Sequence, residues 1–215
     1  MKPKLLVAIF PLVFLLNSCL GFNVDIILNQ NGSGTIDLEY HISKTLDSLG
    51  KLDGNERWNT IPAGRADFER TLDRLPEIKL LSFSSKEDAK DLVISVKMEF
   101  ASIRGLLAFL DAGGRRTSFS GDASSGSLKL CLNAASSGRA SSLEKLVKDI
   151  SEGYHVGISM SFPGEGKLSV SDSNGTPLAA VPGGRIIPKG KKVSCAIPIS
   201  EVLSAADGIN IEFSW

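Results

Sequence analysis

Three cysteines and two histidines are the residues of this 215-residue chain best suited to covalent or metal chemistry. Cys131 lies in Leu130-Cys131-Leu132 and Cys195 in Val193-Ser194-Cys195-Ala196, both strand-like stretches. A disulfide between them would close a loop of about 65 residues, worth about 4 kcal/mol in chain entropy. The alternative is two separate, half-buried thiols. His41 and His155 fall on the polar side of alternating runs, and neither has a cysteine or second histidine at the spacing of a zinc site. No His-Glu-x-x-His, Cys-x-x-Cys or Gly-x-Ser-x-Gly pattern occurs. Asn31-Gly32-Ser33-Gly34 has the glycines of an anion-binding loop but lacks the lysine and the following helix, so it reads as a hairpin turn. Asp37 with Glu39, and Glu87 with Asp88, fall on exposed strand or turn positions, and nothing sets one carboxylate apart from the other as an acid–base couple requires. These residues predict a chain that is not an enzyme and needs no cofactor or metal.

The third cysteine, Cys19, closes a different kind of segment. Lys2 and Lys4 precede an apolar run from Leu5 to Leu16 that only Pro11 interrupts. A charged start, an apolar middle and a small residue before the cut make a secretory signal peptide. Its twelve apolar residues would rise about 18 Å as a helix, short of the roughly 30 Å of a bilayer core. Leu16-Asn17-Ser18-Cys19 resembles the lipobox of bacterial lipoproteins. That resemblance implies removal of residues 1–18, lipidation of Cys19, and a short tether over residues 19–23. It places the domain outside the cytoplasm, in the bacterial cell envelope, held to a membrane by its lipid; two acyl chains anchor stably where one does so marginally. An ordinary secreted protein with an incidental cysteine near the cut is the alternative.

Bulk properties narrow the partners. The full chain balances 24 basic against 24 acidic residues, and loss of Lys2 and Lys4 leaves it slightly acidic. Its densest cationic spots, Lys189-Gly190-Lys191-Lys192 and Arg115-Arg116, are short. Nucleic-acid binding needs a clustered cationic face to displace counterions, so no such partner is expected. Beyond the leader there is no second run of eighteen apolar residues, and residues 24–215 are long enough to bury one core. They predict a single domain, with a sub-division near residue 153 left open.

Hairpins and helices must position whatever site exists. Val24, Ile26 and Leu28, then Ile36, Leu38, Tyr40 and Ile42, alternate with polar residues on either side of the Asn-Gly turn. The same signature returns at residues 78–83 and 92–100, and again at 117–119 and 128–132. Val156 to Phe162, Leu168 and Val170, Val193 to Ile197, and Ile209 to Trp215 supply further strands. Helices are predicted over residues 66–75, over 103–110 with Ser102 as cap, over 141–150 from a Ser141/Glu144 capping box, and over 200–205. Residues 49–65 read as a long loop whose Trp58 either pins it to the core or lines a binding mouth. Cleanly alternating strands are half exposed, so the predicted class is α+β: antiparallel hairpins alternating with amphipathic helices packed on one face of a curved sheet. A terminal alternating strand ending in Trp215 also occurs in outer-membrane barrels, but amphipathic helices between the strands argue against a barrel wall.

Val24-Asp25-Ile26-Ile27-Leu28, Asn31-Gly32-Ser33-Gly34-Thr35, Leu38-Glu39-Tyr40 and the later Ile158-Ser159-Met160-Ser161-Phe162-Pro163-Gly164 are similar to the LppM-like bacterial envelope lipoproteins. That resemblance implies an α+β envelope domain facing lipids, and it carries no catalytic residues. The expected function is a non-enzymatic, membrane-anchored lipoprotein that binds a lipid or other apolar ligand. Met98, Leu106, Leu110, Leu146, Ile150 and Met160 are the candidate pocket lining; the alternative is that they fill the core. A second expectation is a structural or surface lipoprotein that binds an envelope protein. A cleft gathering His41 or His155 with carboxylates would instead favour an enzyme.

Overall fold

Residues 21–44, 64–111, 116–132, 151–178, 182–205 and 208–215 are described in a computed structural model of the chain. Cys19 and the leader, Trp58, and the stretch 133–150 with Leu146 and Ile150 lie outside them.

Alternation builds the first hairpin as expected. Strand β1 (Gly21–Leu28) pairs antiparallel with β2 (Gly34–Ser43), so residues 21–23, expected to belong to a tether, are instead the first rungs of the sheet. In the turn between them, Asn31 Oδ1 accepts from Ser33 N at 3.1 Å and Ser33 Oγ at 2.8 Å, and Gly32 takes φ +83°. Gly34 is required by space: a Cβ there would sit 1.9 Å from the Ile27 carbonyl oxygen and 2.3 Å from Phe100 Cζ. Helix α1 (Arg65–Leu72) presents Phe68 and Leu72 inward and leads into the hairpin β3 (Ile78–Glu87) and β4 (Asp91–Phe100). Helix α2 (Ile103–Leu110) starts where Ser102 Oγ accepts from Gly105 N at 3.2 Å, the predicted cap. A short hairpin, β5 (Thr117–Gly121) and β6 (Gly126–Leu132), follows. The chain is completed by β7 (His155–Asp172), β8 (Arg185–Ile187), β9 (Lys189–Pro198), helix α3 (Ile199–Ser204) and β10 (Ile209–Ser214).

Among the described residues ten strands form one curled sheet in the order β3-β4-β2-β1-β7-β10-β6-β5, with β9 also on β7 and β8 on β9. Residues 156–161 of β7 pair with β1 in parallel and with β9 antiparallel, so these two strands flank it on opposite edges. Its later residues 167–172 pair with β10. The 18-residue β7 is thus the spine that joins two half-sheets. Pro163-Gly164, expected to end a strand, instead forms an exposed irregularity inside it, where the β9 register shifts between Ser161 and Gly166. Phe162 folds back over Gly166, where any Cβ would come within 2.2 Å of its ring.

The α+β expectation is corrected by this architecture. About 60% of the structure is strand and 14% helix, in a curled mixed sheet with three short helices among the described residues. Helices of eight, eight and six residues cannot roof a ten-strand sheet. Curling supplies the cover instead, because the apolar faces of the two half-sheets close on one core. Ile26, Tyr40, Met98, Met160, Val193 and Phe213 are all fully buried there, and strands contribute most of that core. No helix among the described residues is long and apolar enough to cross a membrane.

Curling also separates the two cysteines. Cys131 is on β6 and Cys195 on β9, with β10 and β7 between them, and both thiols are free. Three strand spacings along a sheet are roughly 14 Å, about twice the Cα separation a disulfide tolerates. The bridge is not formed, and the alternative of two separate thiols holds.

Candidate functional site

Residues that alternate with the core side chains define the opposite, wet face. Register brings them into two rows. Lys97 of β4, Asp37 of β2, Asp25 of β1, Ser159 of β7 and Ser194 of β9 make the first. Ser95, Glu39, Asn23, Gly157 and Ala196 make the second, which ends at Arg185 of β8. Both rows line a trough of about 560 Å³, within the size range of small-molecule sites. Small residues form its floor: Gly157, Ala196, Ser159 and Ser194. A Cβ on Gly157 would sit 2.1 Å from Asn23 Oδ1, so the glycine lets the Asn23 amide lie across it.

Electrostatics in the trough are uneven. Asp25 and Asp37 stand directly opposite each other, an arrangement that destabilises a sheet unless neutralised. Each is answered by a lysine: Lys97 Nζ is 3.2 Å from Asp37 Oδ2, and Lys192 pairs with Asp25 Oδ2. Asp25 Oδ1 is buried and accepts no hydrogen bond among the described residues. Among the described residues Glu39 has two distant partners, Ser95 Oγ at 3.4 Å and His41 Nε2 at 3.5 Å. Arg185 has no carboxylate partner among the described residues and is exposed. The trough lining contains no aromatic residue.

Beside it, a cleft of about 590 Å³ gathers His41, His155, Asp91, Glu152 and Tyr154. Both histidines lie on the polar side of their strands, and the His41 side chain, 28% exposed, sits between two carboxylates. Its Nδ1 is 3.3 Å from Asp91 Oδ2, and its Nε2 faces Glu39. The buried Asp91 also accepts the Tyr154 hydroxyl at 2.7 and 2.9 Å. Burial, reinforced by the Asp91 carboxylate, pushes the Tyr154 phenol up to about 12. Both His41 nitrogens are thereby committed, and the cluster ties β2, β4 and the approach to β7 together rather than presenting a free base. His155 Nδ1 is likewise occupied, 3.2 Å from the Gly153 carbonyl. Among the described residues no group of three His, Cys, Asp or Glu side chains is placed to hold a metal.

The expected apolar pocket is not assembled by its described members. Met98, Leu106, Leu110 and Met160 are between 0 and 2% exposed and packed in the core, and none lines the trough or the cleft. The curled half-sheets interdigitate on their apolar side, and the open volume lies on the polar side. Trp215 belongs to the same packing. Its ring lies between Phe119 and Phe162, at centroid distances of 6.0 and 5.3 Å, and its Nε1 donates to the Ala123 carbonyl at 3.2 Å.

Sequence reasoning missed Asp91, Tyr154 and Arg185. Asp91 begins a strand in phase with Ser95 and Lys97, a local hint of wet-face placement. Its partners lie 50 and 63 residues away, and no local pattern encodes them. No protein-family model, curated protein or solved structure matches this chain.

Proposed function

We propose that this protein is a non-enzymatic lipoprotein of the bacterial envelope, tethered through Cys19, whose sheet holds a polar or amphiphilic ligand in the wet-face trough. The trough itself carries this reading: a 560 Å³ cavity with a floor of small residues, bordered by Glu39 on one side and Arg185 on the other. The filled apolar core favours a ligand recognised by polar groups over one swallowed by hydrophobic residues. Both His41 nitrogens face carboxylates in the neighbouring cleft, which favours binding over catalysis. The lipobox-like Leu16-Asn17-Ser18-Cys19 supports the tether.

Two measurements test the two halves. Metabolic labelling with a fatty-acid analogue is expected for the wild type and not for Cys19→Ala; equal labelling defeats the tether. Mass spectrometry of small molecules purified with the full chain is expected to find a reproducible polar or amphiphilic ligand. Ala196→Leu, which fills the trough floor, is expected to abolish it.

A second reading has its own observation. Strand β3 ends the sheet with a ladder partner on one side only among the described residues, and Leu81 on it is 39% exposed. Such an edge can accept an added strand from a partner protein. A partner cross-linked to wild type and Ala196→Leu alike, but lost with Ser84→Pro, would favour it.

A further inference from the structure

We infer that the β7–β9 flank of the sheet is a docking surface for an anionic lipid bilayer, an inference that needs neither the trough's ligand nor the tether. Register assembles this surface from pieces that are short in sequence. Lys189, Lys191 and Lys192 of β9 lie within about 10 Å along the strand, and pairing sets Lys167 of β7 directly opposite Lys189. Arg185 of β8 joins them through its pairing with Ala196 of β9. All five cations are exposed. Two carboxylates lie among them, and each is already engaged: Lys192 pairs with Asp25, and Lys189 Nζ is 3.5 Å from Glu165 Oε2. On the neighbouring β10, Glu212 stands opposite Lys129 and accepts from Ser127 Oγ at 2.7 Å. Lys167, Lys191 and Arg185 are left without a carboxylate partner among the described residues. Like charges that face each other across a ladder destabilise a sheet. Glu165 answers only one of the Lys167–Lys189 pair, so the fold keeps a repulsion that an anionic counter-surface relieves.

Apolar groups decide what carries the negative charge. Among the described residues three large hydrophobic side chains are exposed, and two of them belong here: Ile27 at 44% and Ile187 at 40%. Ile27 pairs with Ser161, which pairs in turn with Lys192. Ile187 pairs with Ser194, the next position of β9 on the same face as Lys192. The two isoleucines thus flank Lys192 on the polar side of the sheet. Cations beside exposed apolar side chains match the two parts of a lipid interface: headgroup charge attracts the lysines, and the isoleucines enter the acyl boundary. A small soluble anion would find no enclosure here, because none of these four lysines lines the trough, the cleft or the pocket beside Trp215. Single-stranded nucleic acid stacks its bases on aromatic rings, and none of the exposed residues of this flank is aromatic.

The test uses the full chain carrying Cys19→Ser, with vesicles of phosphatidylcholine alone or mixed equally with phosphatidylglycerol. Sedimentation is expected to show binding to the mixed vesicles that weakens as salt rises. Lys167→Gln together with Lys191→Gln is expected to weaken it about 25-fold, at about fivefold per cation near an anionic surface. Lys79→Gln together with Lys86→Gln removes equal charge from β3, at another edge of the sheet, and leaves binding unchanged. Ile187→Ser weakens binding and preserves its salt dependence. All five substituted side chains are exposed, so the fold is retained, and residues 1–18 are common to every variant. A second readout is acetylation of the bound chain: Lys167 and Lys191 are protected relative to Lys79 and Lys86 on the mixed vesicles and not on phosphatidylcholine. Equal loss from the two pairs of substitutions, or equal acetylation of all four lysines on the mixed vesicles, overturns the inference. Binding of soluble polyphosphate as tight as that of the vesicles, with Ile187→Ser affecting neither, overturns the bilayer in favour of a soluble polyanion. Ala196→Leu is expected to leave vesicle binding unchanged, so this inference and the trough reading fail separately.

Discussion

Single atoms decide several positions in this fold. Gly34 faces the Ile27 carbonyl and the Phe100 ring at distances no Cβ can share, and backbone cannot yield as a side chain can. Gly34→Ala is expected to cost about 3 kcal/mol, the upper range for overpacking, read as a lowered denaturant midpoint at unchanged slope. Gly157 is the contrast: its added Cβ would meet the Asn23 amide, which can swing away. Gly157→Ala is expected to cost under about 1 kcal/mol, near the scale of ordinary surface changes, while displacing Asn23 into the trough. The cysteines differ in the same local way. Burial pushes the Cys195 thiol up to about 12, whereas Cys131 is only partly buried on a different strand. With Cys19 replaced by serine, a thiol reagent at neutral pH is expected to label Cys131 alone, and Cys195 only after unfolding. Rapid labelling of both in the native protein would contradict this placement.

At the scale of elements, the Asp91 cluster joins segments that no hairpin turn connects. Tyr154 reaches Asp91 from the approach to β7, and His41 reaches it from β2. The folded phenol holds its proton to about 12, above the ordinary 10, so the fold favours neutral Tyr154. That contribution is complete below pH 10 and is lost as pH rises through 12. Unfolding midpoints are expected to fall across that window, and Tyr154→Phe to flatten the fall; an unchanged alkaline limb would show that the hydroxyl is not so held. Element by element, the sequence was unevenly legible. The hairpins β1–β2, β3–β4 and β5–β6 stood out because alternation and turn residues are local signals. β7 did not, because Pro163-Gly164 is a turn signal that pairing with β9, β1 and β10 overrides. Amphipathic stripes such as Ile103–Leu110 were read correctly as helix and wrongly as a covering layer, since periodicity does not reveal how much sheet a helix must cover.

For the whole molecule, curling is the property from which the site follows. Closing the apolar face on itself fills the volume in which Met98 and Met160 were expected to line a pocket. The concavity that remains collects Asn23, Asp25, Glu39, Gly157, Ala196 and Arg185 from five strands of the sheet. The polar character of each position was legible from alternation, and their meeting was not. It depends on a parallel β1–β7 register and on β8 pairing with β9, contacts between residues far apart in sequence. The measurement that tests the central claim most directly is quantitative mass spectrometry of small molecules purified with the full chain and with Ala196→Leu. The wild type is expected to carry a polar or amphiphilic ligand, and the variant, with the same unfolding midpoint, at most about a tenth of it, a loss equivalent to about 1.4 kcal/mol or more. Equal ligand content in the two proteins would contradict the assignment of the trough as the binding site.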